Sequence, residues 1–192
     1  CCSGRTLEMT GMDREENAKK LRKGYVHVYT GDGKGKTTAA LGLAVRALGA
    51  GLRVFIAQFA KGMHYSELDT IESLGDRIRV RQYGRTCFIE GEPTQEDRDC
   101  ARRGLEESTE VLAGGRYDIA VLDEACIALH YRLFSTQDLL DAVRGRADGV
   151  EVVITGRRAP KELIDAADLV TEMREVKHYY ARGVKARKGI ES

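Results

Sequence analysis

Short apolar runs recur along the chain, each closed by glycine or polar residues and followed by a stretch of helical character. The runs at 25–30, 53–59, 79–83, 117–122, 150–155 and 169–172 read as strands. The stretches at 36–48, 66–74, 94–112, 136–143 and 160–166 read as helices. Thr94 ahead of Glu96 and Asp97, and Thr136 ahead of Asp138, supply start signals. Strand and helix in alternation predict an α/β fold, a parallel sheet covered on both faces. No internal repeat or low-complexity tract interrupts the series.

Residues 1–23 stand apart, polar and mixed in charge, with a weak helical pattern through Glu15, Glu16, Lys19, Lys20, Arg22 and Lys23. They read as an N-terminal extension, flexible or lid-like, ahead of one domain at 24–192. Composition agrees: 192 residues suit a single domain with a substantial core, and 42% hydrophobic with 32% charged residues describes a soluble globular protein. A net charge of +1 gives no global attraction to nucleic acid or anionic membrane, which leaves a small molecule as the expected partner. Five cysteines, odd in number and irregularly spaced, argue against a disulfide framework and for reduced thiols in the cytoplasm. No apolar run reaches the length of a membrane span.

Thr30-Gly31-Asp32-Gly33-Lys34-Gly35-Lys36-Thr37-Thr38 carries the strongest chemical signal. It joins the first strand to a helix, the setting of a phosphate-binding loop. Glycine backbone amides can turn onto phosphate oxygens, the helix N-terminus adds positive potential, Lys36 neutralises charge and Thr37 can ligate Mg2+. The usual loop has its first glycine where this chain has Thr30, so the loop is one residue short.

The run at 119–122 ends in Asp123-Glu124, at the sheet edge where ligands of parallel sheets bind and where a carboxylate can hold Mg2+ directly or through water. Two functional classes separate here. Either Glu124 positions a water against the terminal phosphate, or the acids hold only the metal and a second substrate brings the nucleophile. The short loop favours the second, because a displaced phosphate chain does not present its terminal group for ordinary hydrolysis or kinase transfer. No other nucleophile stands out: His27 lies inside a strand as a packed residue, His64 sits in a loop, and His130 falls on the helix after the acids in a structural setting. Thr155-Gly156-Arg157-Arg158 follows the fifth strand at the same edge, so an arginine there can reach a triphosphate.

Together these segments resemble the P-loop type of ATP:corrinoid adenosyltransferase (cob(I)yrinic acid a,c-diamide adenosyltransferase) from Gly24 to Glu191. The resemblance rests on the shortened loop through Ala40, Gln58-Phe59-Ala60-Lys61-Gly62, Tyr117-Asp118 leading to Leu122-Asp123-Glu124, and Thr155-Gly156-Arg157. Ala167-Asp168-Leu169-Val170-Thr171-Glu172-Met173, Lys177-His178 and Gly183-Val184-Lys185-Ala186 complete it. It implies a P-loop NTPase-like (RecA-like), mostly parallel sheet with helices on both faces. It implies a reaction in which a reduced Co(I) corrinoid attacks the 5′ carbon of ATP and releases triphosphate, in cobalamin biosynthesis or salvage, with ATP reversed relative to ordinary loop NTPases. The nucleophile is then cobalt, which accounts for the lack of a convincing base.

By position, the resemblance assigns Gly31, Asp32, Gly33, Lys34, Gly35, Lys36, Thr37 and Thr38 to the triphosphate, with Lys36 and Glu124 catalytic. Thr37, Asp123 and Glu124 serve Mg2+ (or Mn2+), Arg157 faces the phosphates and Arg46 the nucleoside. Some relatives carry an aromatic pair including tryptophan after the third strand, where it helps displace the lower axial ligand of the corrinoid. This chain has no tryptophan, and Phe88 is left as the apolar wedge. The resemblance further implies a homodimer, an electron-donating flavoprotein as partner, and an N-terminal segment that folds over the site. The competing readings are a hydrolytic RecA-like ATPase whose basic tail meets DNA, against which the near-neutral charge speaks, and a non-enzymatic nucleotide-binding module.

Overall fold

A computed structural model describes residues 21–63, 65–85 and 91–190. The expected extension over residues 1–20, His64, and Cys87 and Phe88 of the segment after the third strand lie outside the described residues.

Six strands form one sheet: β1 (Val26–Thr30), β2 (Val54–Phe59), β3 (Ile78–Tyr83), β4 (Ile119–Asp123), β5 (Glu151–Thr155) and β6 (Leu169–Glu172). Their order is β3-β2-β4-β5-β1-β6 and every pairing is parallel. The helices between them are α1 (Lys36–Gly49), α2 (Ser66–Ser73), α3 (Gln95–Gly114), α4 (Ala125–His130), α5 (Thr136–Arg144) and α6 (Lys161–Ala166). The α/β class read from the sequence is therefore the one observed, with the sheet parallel throughout.

Strand alternation divides the core in two. Val28, Phe55, Ala57, Phe59, Ala120, Leu122, Val152 and Ile154 face one side and pack with residues of α3, α4, α5 and α6. Their neighbours Val54, Ile56, Ile119, Val121 and Val153 face the other, against Ala40, Ala44 and Ala47 of α1 and Ile71 of α2. Small alanines on the inner stripe of α1 let that helix lie close to the sheet, and α1 begins directly at the loop.

The boundaries differ from the sequence reading in two instructive places. Helix α5 is capped by Ser135, not Thr136: the Ser135 side chain accepts from the Asp138 amide while Asp138 reaches back to the Ser135 amide, the same reciprocal cap that Thr94 and Asp97 make at α3. The six-residue α4, on which His130 was expected to fall, has no stretch of its own among the helical readings. Its apolar residues follow the β4 run after only two acids, so no change of period marks it.

Because all strands run the same way, their C-terminal ends share one edge, and β5 alone separates the loop strand β1 from the acid strand β4. Beyond β6 the chain, though largely exposed, stays tied to the loop. The Met173 amide donates to Thr30 O at 2.8 Å, the Gly33 amide donates to Met173 O at 2.7 Å, and Lys34 Nζ donates to Ile190 O at 2.8 Å. The basic C-terminal stretch thus lies against the phosphate loop, with a 3-10 turn at Tyr179–Arg182.

Gly31 has φ 93°, and a Cβ there would lie 2.4 Å from Met173 O. Gly31→Ala is expected to destabilise the fold by about 1–3 kcal/mol through strain and clash. Gly42→Ala, inside α1 with open space around the new methyl, should stabilise it by about 0.5–1 kcal/mol. Denaturant unfolding of the two variants checks the opposite signs.

Candidate functional site

The loop closes around its own lysine. Gly31 and Gly35 take positive φ (93° and 112°), which turns the chain tightly between β1 and α1. Lys36, 6% exposed as the first residue of α1, donates to Gly31 O at 2.8 Å and to Gly33 O at 2.7 Å. Burial pushes its pKa below the ordinary lysine value; Glu124 opposes this shift and Arg157 adds to it. Thr30, where a longer loop has its first glycine, belongs to β1. Its carbonyl is taken by Met173, and its hydroxyl accepts from the Ala159 amide at 3.3 Å.

Asp123 is the second centre. It ends β4, is 1% exposed, and both oxygens of its carboxylate are occupied. Oδ1 accepts from Thr37 Oγ1 at 2.8 Å and from Thr155 Oγ1 at 2.7 Å. Oδ2 accepts from Lys61 Nζ at 2.7 Å and, more weakly, from Gln58 Nε2 at 3.4 Å. Residues from α1, the end of β2, the loop after it and the end of β5 therefore meet on one carboxylate. Burial opposes the charge on Lys61, but Asp123, joined by Glu124 and Glu67, holds the ammonium above the ordinary lysine pKa.

Glu124 adopts φ 58°, a conformation rare for a side-chain-bearing residue, and starts α4. Its amide donates to Thr155 Oγ1 at 3.0 Å, which helps hold the backbone in that strained turn. Burial raises its pKa first and the neighbouring Asp123 charge second, against the pull of Lys61, Lys36 and Arg157. These mutual effects place Lys36, Glu124 and Arg157 in one electrostatic neighbourhood.

The structure thus brings together Gly31, Gly33, Gly35, Lys36, Thr37, Asp123, Glu124 and Arg157. Asp32, Lys34 and Thr38 are exposed on the loop and the first turn of α1. Arg46 is exposed in the last turn of α1, ten residues past Lys36 and so about 15 Å along the helix axis. Phe88 lies outside the described residues. The histidines occupy other settings: His27 Nε2 pairs with Glu151 Oε1 at 2.6 Å within the sheet, and His130 contacts Arg158. Cys126 is fully buried beside Gly156, and burial pushes its thiol up to about 12.

Sequence reasoning assigned no role to Lys61, Thr155 or Gln58. The signal was there as position: each is polar, at or just past the end of an apolar strand in a parallel sheet, on the edge where ligands bind.

Comparison with known proteins places the chain in a family. The sequence profile described as ATP:corrinoid adenosyltransferase BtuR/CobO/CobP matches residues 22–192. Similar proteins include a corrinoid adenosyltransferase of Escherichia coli (strain K12), 35% identical over 170 residues that span 88% of this chain and 86% of that protein. Corrinoid adenosyltransferase CobA of Salmonella typhimurium (strain LT2) is 36% identical over the same shares. Among solved structures, a KaiC-like protein of Pyrococcus horikoshii OT3 aligns over 79% of this chain and 73% of its own, at 14% identity and a TM-score of 0.48. The family match takes in both the loop that encircles Lys36 and the strand end at Asp123, and on it this chain belongs to the ATP:corrinoid adenosyltransferases.

Proposed function

We propose that this site transfers the 5′-deoxyadenosyl group of ATP to the Co(I) of a reduced corrinoid, in cobalamin biosynthesis or salvage. The observation that carries the reading is the family match across both halves of the site. It lends no support to the hydrolytic alternative. In the step itself the cobalt electron pair attacks C5′, a cobalt–carbon bond forms, the C5′–oxygen bond breaks, and its electrons leave with inorganic triphosphate. Both reacting atoms then belong to substrates, and the protein's task is to bind, orient and balance charge.

The family resemblance and the contacts around the loop support these roles. The loop at 31–38 cradles the triphosphate, Lys36 turns from its loop carbonyls to the phosphates, and Arg157 adds a second cation from the facing loop. Arg46, on the outer turn of α1, is assigned to the nucleoside, and Phe88 to the corrinoid's lower face. A hydroxyl and two carboxylates form an oxygen donor set that fits Mg2+ or Mn2+, which keep phosphate and water ligands of their own. Thr37 and Glu124 are the ligands in this reading, with Asp123 acting through the Thr37 hydroxyl or a water. When bound, the cation neutralises charge on the departing triphosphate. The 1–23 segment is assigned to cover the site and exclude water. A homodimer, a flavoprotein electron donor and a cytoplasmic setting complete the proposal; among the described residues no helix is long and apolar enough to cross a membrane.

Incubation with ATP, Mg2+ and chemically reduced corrinoid is expected to yield triphosphate and adenosylated corrinoid in equal amounts, read by phosphate chromatography and the corrinoid spectrum. Orthophosphate formed without corrinoid would sink the proposal. Lys36→Ala should lower kcat/KM by roughly 10²- to 10³-fold.

Glu124 gives a pH prediction. Its raised pKa means that the metal-binding carboxylate is lost, as pH falls, at a higher pH than for an ordinary glutamate. The folded state also binds this proton more readily than the unfolded state, so keeping Glu124 ionised at neutral pH costs stability. Glu124→Gln is therefore expected to abolish Mg2+-dependent turnover while raising the midpoint of thermal unfolding, by roughly 2–4 °C per kcal/mol relieved. A lowered midpoint would contradict this sign.

A further inference from the structure

Asp123 serves the site only if it accepts every hydrogen bond it makes. Its Oδ1 takes the protons of both Thr37 and Thr155, at 2.8 and 2.7 Å. That leaves the Thr37 oxygen with a lone pair for a cation beside the long, 3.5 Å approach of Lys61 Nζ, and the Thr155 oxygen with one for the Glu124 amide, at 3.0 Å. If the carboxylate turned about its own axis, or gave up one of these bonds, both metal-holding residues would lose their orientation together. Something must fix the other oxygen.

Lys61 does so. An ammonium has donors and no acceptor, so the 2.7 Å bond to Oδ2 admits one direction only. Gln58 supports the same oxygen and is itself oriented by Gln82, whose Nε2 donates to Gln58 Oε1 at 3.1 Å and to Met63 O at 3.0 Å. The lysine is held in turn, with its Nζ 5.3 Å from the centre of the Tyr65 ring and 14% of its side chain exposed. A positive φ of 52° at Ala60 turns the chain back at the end of β2, just before Lys61.

We propose that Lys61 is a positioning residue: by donating to Asp123 Oδ2 it sets the direction of the chain Lys61→Asp123←Thr37 and Asp123←Thr155←Glu124. It thereby orients the two groups that take the cation of a metal–triphosphate. This rests on the reading of Thr37 and Glu124 as metal-holding residues. Partners one step behind metal ligands typically carry 10- to 100-fold in metal affinity.

Calorimetric titration of ATP into the full chain, in EDTA and across a series of Mg2+ concentrations, reads this without turnover. Lys61→Met is expected to raise the Mg2+ concentration for half-maximal ATP binding by roughly tenfold. It should leave ATP binding in EDTA unchanged, and Lys61→Arg, also donor-only, should restore most of the loss. Since Lys61→Met leaves a buried carboxylate without its counter-charge and risks misfolding, the same titration compares Asp123→Asn with Asp123→Asn/Lys61→Met. These two should need the same Mg2+. ATP binding weakened equally in EDTA, a further loss on adding Lys61→Met to Asp123→Asn, or an unchanged or lower Mg2+ requirement in Lys61→Met would overturn the proposal. Wild-type protein that binds ATP identically with and without Mg2+ would instead remove the metal reading on which it rests.

Discussion

A buried carboxylate surrounded by donors organises this protein's ligand edge. Asp123 is nearly inaccessible to water and is compensated from several sides at once, by the Thr37 and Thr155 hydroxyls and the Lys61 ammonium. A buried charge is tolerated only when paired and hydrogen-bonded, and the partners come from separate elements. The helix after the loop, the loop after β2 and the end of β5 are thus held in one arrangement. The parallel sheet brings these ends to one edge; the carboxylate fixes their relative positions. The order β2-β4-β5-β1 matters here, because it places Thr155 between the acid strand and the loop strand, within reach of both Asp123 and Glu124.

Charge around this centre is balanced closely. Lys36, Lys61 and Arg157 face Asp123 and Glu124, and the shifts run in opposite senses according to each group's surroundings. Burial depresses Lys36, Asp123 raises Lys61, and burial with a neighbouring carboxylate raises Glu124. Cys126 shows the complementary effect: the same dry surroundings that tune the charged groups keep its thiol protonated, which leaves it unsuited to act as a nucleophile.

Much of the fold was legible in the sequence: the central strands β2, β4 and β5, buried on both faces, read as apolar runs, and the partly or wholly exposed β1, β3 and β6 were still marked by their place between helical stretches. Boundaries moved where local chemistry decided them, as at Ser135, where a reciprocal cap with Asp138 outcompetes the adjacent threonine. The loop, Lys36, Thr37 and the Asp123-Glu124 pair were legible because their spacing is local. Lys61 and Thr155 lie in segments that carry the resemblance, Gln58–Gly62 and Thr155–Arg157, but nothing local gave either a role; they join the site through contacts across 62 and 32 residues of chain. Glu124's left-handed backbone was equally hidden, being imposed by the turn into α4 and helped by a hydrogen bond from another strand end.

The missing glycine and the C-terminal stretch turn out to be one feature. β6 pairs along β1 as far as Thr30 and Glu172, and the chain then continues so that Met173 takes the Thr30 carbonyl and the Gly33 amide. Thr30 is thereby kept in the strand, and the loop begins one residue late. Met173 also explains two of the glycines that remain. Added Cβ atoms at Gly31 and Gly33 would lie 2.4 and 2.7 Å from its carbonyl oxygen, closer than any such contact allows. Those positions must therefore be glycine to admit the protein's own backbone, whatever they do for phosphate. The Gly33 amide is spent on Met173, and the shortened loop encircles Lys36 with the Gly31 and Gly33 carbonyls. The loop's departure from the usual spacing is in this sense written at the other end of the chain, where a sixth strand runs beside β1 and hands on to Met173, which takes up both the strand's last carbonyl and a loop amide.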